Sequence, residues 1–121
     1  MTEFLAWHFL REGRKVADYG SGSPFANTTV SAGTKLVLPP GREIAPCEYG
    51  LHASVRPIDA LQYATSSIIQ RVRLSGTIVE RADKAAASER ETLWVMDASL
   101  ALHISAVNFA NTTTLLNPDA S

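Results

Sequence analysis

The stretch from Cys47 to Ala64 contains the residues best suited to bind a ligand, a histidine and a serine beside a predicted helix. His52 and Ser54 lie two residues apart in a short predicted strand, so their side chains share one face of it. Pro57 suits the first position of the helix, because its missing N–H would be unpaired there in any case. This polar pair predicts a binding site, with a hydrogen-bonded core histidine and a capping serine as the alternative.

Two further residues could join such a site. His8 lies in the apolar run Phe4–Leu10, which favours a buried strand, although a short helix is the competing interpretation. An imidazole in such a run is either hydrogen-bonded within the core or a member of a site. Arg56 precedes the helix that begins at Pro57, where a guanidinium could contact a phosphate.

The candidate acids are Glu80 and Asp83, in the charged segment 80–84 that follows a predicted strand. A carboxylate at the end of a strand can project into a cleft. The alternative is a solvated turn with local ion pairs. Cys47 is the single cysteine, and we expect it to be a small buried residue. No CxxC or HExxH spacing is present, so we expect no metal site.

The composition favours one ordinary globular domain. The chain has 121 residues, 45% of them hydrophobic and 19% charged, with a formal net charge of −1. That charge predicts no broad basic surface for nucleic acid. The sequence contains no apolar run of the roughly 20 residues that span a bilayer, and no signal-peptide pattern. With one cysteine, this favours a soluble protein in the cytoplasm of a bacterial cell.

The pattern of residues predicts an α+β fold, a mainly antiparallel sheet that could be split, with two helices. The clearest predicted strand is 67–74, where apolar residues partly alternate, and Ser75-Gly76 suggests a bulge. Segment 85–96 is ambiguous between helix and strand. One helix is expected after Pro57, with Ile58, Leu61 and Ala64 on its buried face. The other is expected from 98 to 110 with Asp97 as its N-cap. The domain would span 1–110, and 111–121 would form a loose tail.

Several motifs resemble uncharacterised domains that are common in phage and prophage proteins. The resemblance covers residues 4 to about 110. It rests on four segments of the sequence: Trp7-His8-Phe9, the C-x-x-G-L-H-A-S segment Cys47–Ser54, the D-A-L-x-Y-A segment Asp59–Ala64, and Val72–Val79 followed by Asp83-Lys84.

The layout also resembles the small ADP-ribosyltransferases of the rifampin-modifying type, in which a split sheet grips NAD. His8 matches the histidine of their first strand. Leu51–Ser54 followed by Ile58–Leu61 matches their second motif, and Glu80 or Asp83 could supply their late acid. The sequence departs from that pattern where His52 replaces a tyrosine, which removes a stacking ring for nicotinamide.

This resemblance implies specific roles. His8 would hydrogen-bond the nicotinamide ribose, and His52 and Ser54 would line the nicotinamide pocket. A carboxylate of Glu80 or Asp83 would stabilise the positive charge that develops on the ribose. Arg56 would contact a phosphate, and the cofactor would be NAD.

Three functions are therefore expected, in order of preference. The first is a small phage-type protein that binds a host protein or defence complex, for example an anti-CRISPR or other anti-defence inhibitor. The second is a divergent NAD-dependent ADP-ribosyltransferase. The third is an accessory domain of a longer phage protein. The preference for a binding protein follows from the incomplete catalytic set. We expect no membrane or direct nucleic-acid partner.

Overall fold

The computed structural model describes residues 3–16, 24–25 and 27–99. Within them the chain forms five strands and one short helix. In chain order these are β1 (Phe4–Phe9), β2 (Lys35–Val37), β3 (Leu51–Ala53), α1 (Pro57–Leu61), β4 (Ile68–Glu80) and β5 (Ala85–Asp97). The mainly antiparallel sheet is confirmed, with one short helix beside it.

The strands form one antiparallel sheet in the order β1-β4-β5-β2, and β3 also pairs with β5. The two short strands share one edge of β5, where β3 pairs with Ala85–Ala87 and β2 with Glu89–Glu91. Backbone hydrogen bonds of 2.7 and 2.8 Å join Trp7 to Ser54, just beyond β3. Because β3 thus contacts both β5 and β1, the two predicted site segments lie side by side.

The long hairpin of β4 and β5 forms the centre of the sheet. The predicted strand 67–74 is confirmed and continues to Glu80, with a register shift between Ser75 and Ile78 at the expected bulge. The ambiguous segment 85–96 is a strand. Its first residues, Ala85–Ala87, are all fully buried. Their small side chains let β3 and the turn before it approach β5 closely.

The prediction for the first helix is correct at its start and wrong for its buried face. Pro57 occupies the first turn, but α1 has only five residues and ends at Leu61. Ala60 is its buried residue, whereas Ile58 is 60% and Leu61 38% exposed. One turn of helix cannot form the apolar stripe that the i, i+3, i+6 spacing suggested, because such a stripe needs two turns or more.

The second predicted helix is not supported, because nearly all of it lies outside the described residues. At its expected start, the carboxylate of Asp97 accepts a hydrogen bond of 2.9 Å from the Ser99 N–H, as an N-cap side chain would. The predicted tail 111–121 also lies outside the described residues. Within those residues, no helix is long and apolar enough to cross a membrane.

Candidate functional site

A cavity of about 70 Å³ lies where β1, the end of β3 and α1 meet. Much of its wall is apolar or aromatic, with Trp7 and Phe9 from β1 and Ala60 from α1. His8, His52 and Ser54 also line it, so the structure brings these three predicted residues together. Tyr63 and Lys84 complete the polar part of the wall.

The His52 side chain forms hydrogen bonds with the turn that precedes β3. Its Nε2 accepts a hydrogen bond of 2.9 Å from the backbone N–H of Cys47, and the ring also hydrogen-bonds the backbone of Gly50. Burial, with the charges of Arg90 and Lys84, lowers the pKa of His52 to about 4. The ring is therefore neutral at physiological pH, as an Nε2 acceptor requires.

His8 is buried in β1 and contacts a polar residue of β4. Its Nδ1 lies 3.0 Å from the side-chain nitrogen of Gln70. The side-chain oxygen of Gln70 accepts a hydrogen bond of 2.7 Å from the Thr92 hydroxyl. Burial lowers the pKa of His8 well below its usual value, and the charge of Arg90 acts in the same direction. His8 is thus both a hydrogen-bonded core residue and part of the cavity wall.

Arg90 is a buried cation behind the two histidines. It is 2% exposed, and one guanidinium nitrogen donates to the His52 carbonyl oxygen at 2.7 Å. Within the described residues it forms no ion pair, and its second terminal nitrogen has no hydrogen-bond partner. Burial lowers its pKa to about 10, so it remains charged at neutral pH. Burial is the main reason that the pKa values of His8 and His52 are lowered, and the charge of Arg90 acts in the same direction.

A series of polar side chains contact one another beside the first cavity. Lys84 contacts the thiol of Cys47, and its ammonium lies 4.9 Å from the centre of the Tyr63 ring. The Tyr63 hydroxyl donates to the carboxylate of Asp83, which raises the Tyr63 pKa. The hydrogen bond with Cys47 raises the pKa of Lys84. Cys47, Lys84, Tyr63 and Asp83 are therefore linked in series beside the cavity.

The expectation that Cys47 is buried is wrong, because its side chain is exposed. Its backbone has a φ of 68°, in the left-handed region, within a turn where the Ala45 and Tyr49 backbones pair. That conformation turns its N–H toward His52 and places its thiol beside Lys84.

A second cavity, of about 200 Å³, adjoins the first. Arg56, Glu80 and Asp83 line it, and Lys84 lines both cavities. Arg56 forms an ion pair of 3.2 Å with Asp59, so part of its charge is neutralised before any ligand binds. All six residues that the sequence predicts for the site therefore lie around two adjoining cavities.

The sequence analysis missed the remaining polar residues of this region. Tyr63 and Lys84 were present only inside longer motifs, and no pattern distinguished Gln70 or Arg90 from other strand residues. A polar residue at a buried position of an alternating strand was the available signal for Gln70. Among the described residues, no group of three His, Cys, Asp or Glu side chains could hold a metal ion.

Comparisons with protein-family models, with curated proteins and with solved structures yield no match for this chain. The likenesses to phage domains and to ADP-ribosyltransferases thus stay expectations from sequence motifs.

Proposed function

We propose that the protein is a divergent NAD-dependent ADP-ribosyltransferase. The observation that carries this proposal is the convergence of His8, His52 and Ser54 on one cavity, with Glu80 and Asp83 at the cavity beside it. The enzyme hypothesis requires a histidine pair, a hydroxyl and an acid near one another, and Lys84 lines both of the cavities that contain them.

The shape of the region is compatible with a ligand of two unlike parts. The first cavity would take the planar nicotinamide end between apolar walls. The second would take the ribose and phosphate part beside Arg56 and Arg81. Together the cavities approach the roughly 300 Å³ at which small-molecule sites begin. Trp7 and Tyr63 supply aromatic rings near the position where His52 replaces the usual tyrosine.

The charged residues around the two cavities suit the redistribution of charge when the bond between nicotinamide and ribose breaks. The bond between nicotinamide and ribose C1′ breaks, both electrons leave with the ring nitrogen, and positive charge appears on the ribose. Arg90 lies behind the nicotinamide end, where a fixed cation favours loss of positive charge from the ring. Asp83 and Glu80 lie toward the ribose end, where a carboxylate stabilises the developing cation. An acceptor nucleophile then bonds to C1′ and releases a proton.

The first test is NAD binding by calorimetry, with nicotinamide release followed in the same samples. Wild-type protein should bind NAD and release nicotinamide, and the double variant His8→Ala/His52→Ala should do neither. Since both histidines are buried, each sample needs a thermal melt to show that it is folded. Folded double variant with unchanged NAD binding, or wild type with no binding, would contradict the proposal.

The acids provide a milder test, because Asp83→Asn and Glu80→Gln preserve side-chain size. We expect the variant of the acting acid to slow nicotinamide release about a hundredfold, with NAD binding changed only a few-fold, since the carboxylate acts mainly in the transition state. Glu12→Gln, in an exposed turn away from both cavities, is the matched control. Equal rates in all three variants would exclude a role for either acid.

Exposed apolar side chains favour docking on a host protein as a second candidate function. Val55 is 52% exposed and lines the second cavity, and Ile58 and Leu61 project from α1 beside it. Apolar side chains grouped in this way are typical of interaction surfaces. Recovery of one defined host complex by wild type, but not by Ile58→Glu, would support docking. Equal recovery by both would count against this surface.

A further inference from the structure

Three polar side chains form a buried chain that ends at the first cavity. The Thr92 hydroxyl on β5 donates to the Gln70 side-chain oxygen on β4 at 2.7 Å. The Gln70 side-chain nitrogen then lies 3.0 Å from Nδ1 of His8 on β1. Gln70 is fully buried, and Thr92 and His8 are nearly so. Such a chain has a direction, because each member must donate to the next or accept from it.

The direction determines which nitrogen of His8 carries the proton. An amide NH₂ group can only donate, so the Nδ1 atom that faces it must accept. A neutral imidazole has one protonated nitrogen, and the proton of His8 then lies on Nε2. The neutral state itself follows from burial beside the charged Arg90. His8 lines the first cavity, so this chain of hydrogen bonds ends at the cavity wall.

His52 cannot offer the same group. Its Nε2 is occupied by the Cys47 N–H, and the ring also hydrogen-bonds the Gly50 backbone. Of the two imidazoles in the wall, His52 therefore contributes ring surface, and His8 contributes a directed donor. The neighbouring walls from Trp7, Phe9 and Ala60 are apolar, so a donor among them would fix the orientation of a flat ligand.

We propose that the first cavity recognises a neutral hydrogen-bond acceptor, the carbonyl oxygen of a planar aromatic amide, through the Nε2–H of His8. Gln70 is the positioning residue that sets this tautomer. The inference rests on the proposed function and takes the carboxamide of nicotinamide as that acceptor, whereas the resemblance to ADP-ribosyltransferases implied that His8 contacts the ribose. It also specifies free nicotinamide as a ligand of the protein.

The tautomer can be measured without any ligand, by the ¹⁵N shifts of the imidazole nitrogens of His8 in nuclear magnetic resonance spectra. Wild type should show Nδ1 unprotonated and Nε2 protonated. In Gln70→Glu the carboxylate can only accept, so Nδ1 should become protonated. A protonated Nδ1 in wild type would overturn the inference.

Thr92→Val is a second variant, which removes the donor to Gln70 without adding charge. It should reduce the preference for the Nε2 tautomer, and no change in that preference would count against the chain.

Nicotinamide itself is the binding probe. Its addition should shift the Nε2 resonance of His8 and leave both nitrogens of His52 bonded as before. Gln70→Glu, checked for folding by its thermal melt, should bind nicotinamide about tenfold or more weakly, because a neutral ring that is protonated on Nδ1 has no Nε2–H to donate. Equal affinity for both proteins, or no shift at His8, would overturn the recognition by His8.

The two proposals fail differently. If wild type cleaves NAD while Gln70→Glu binds nicotinamide as tightly, only the inference about His8 is wrong. If His8 has the stated tautomer but neither NAD nor nicotinamide binds, the proposed function and the recognition by His8 are both wrong. Binding of nicotinamide at His8 without cleavage of NAD would support the recognition and contradict the enzyme.

Discussion

Lowering the pH from about 7 to about 4 is expected to destabilise the folded protein by about 3 kcal/mol through His52 alone. The pKa of this ring falls from 6.5 to about 4 on folding, chiefly because of burial. Between these values the unfolded chain binds more protons than the folded one, so stability falls as the pH falls. The contribution is complete above about 6.5 and lost by about 4. His8 acts in the same direction, because its pKa is also lowered.

The measurement is urea unfolding of wild type and His52→Gln at several pH values across this window. Glutamine can still accept from the Cys47 N–H, but it does not titrate. The stability advantage of wild type should therefore shrink by about 3 kcal/mol from neutral to acid pH. Carboxylates titrate in both proteins, so their contribution cancels in the difference. A difference that stays constant with pH would show that His52 has an ordinary pKa in the folded protein.

Replacement of Gly50 by alanine is expected to destabilise the protein by about 2–4 kcal/mol. A Cβ atom at this position would lie 2.8 Å from the Cβ of Ala86 and 3.2 Å from a methyl carbon of Ile44. Neither neighbour is the end of a long flexible side chain that could move aside. The backbone φ of 147° adds strain, because side chains rarely adopt it. The turn that holds His52 would have to move away from β5.

Gly33→Ala is the matched control for this prediction. Gly33 also has a positive φ, of 90°, but a Cβ there would meet nothing within 4 Å. It should therefore show the backbone cost alone, of about 1 kcal/mol. Chemical denaturation of both variants and wild type gives the comparison. If the two variants lose equal stability, the close contact between Gly50 and Ala86 is not a constraint on the fold.

The sequence predicted the strands best where its local pattern was strong. The alternating apolar residues of 67–74 predicted β4, and Ser75-Gly76 predicted the bulge in it. Pro57 predicted where α1 begins. The buried face of α1 was wrong because the helix ends after five residues, before its apolar spacing can form a stripe. The exposure of Cys47 was missed because its left-handed backbone depends on the turn closed by the Ala45–Tyr49 pair.

The sequence by itself determined which residues could do chemistry and that most of them end or flank strands. It could not show that they meet, because His8 and Lys84 are far apart in the chain and spacing carries no information on strand order. The tertiary structure decided this by pairing β3 with β5 and joining Ser54 to Trp7. The tertiary structure also buries Arg90 behind the two imidazoles. The sequence would not predict this position, because an arginine side chain is rarely fully buried. Local patterns reflect the exposure of single elements, whereas a site depends on the contacts between them.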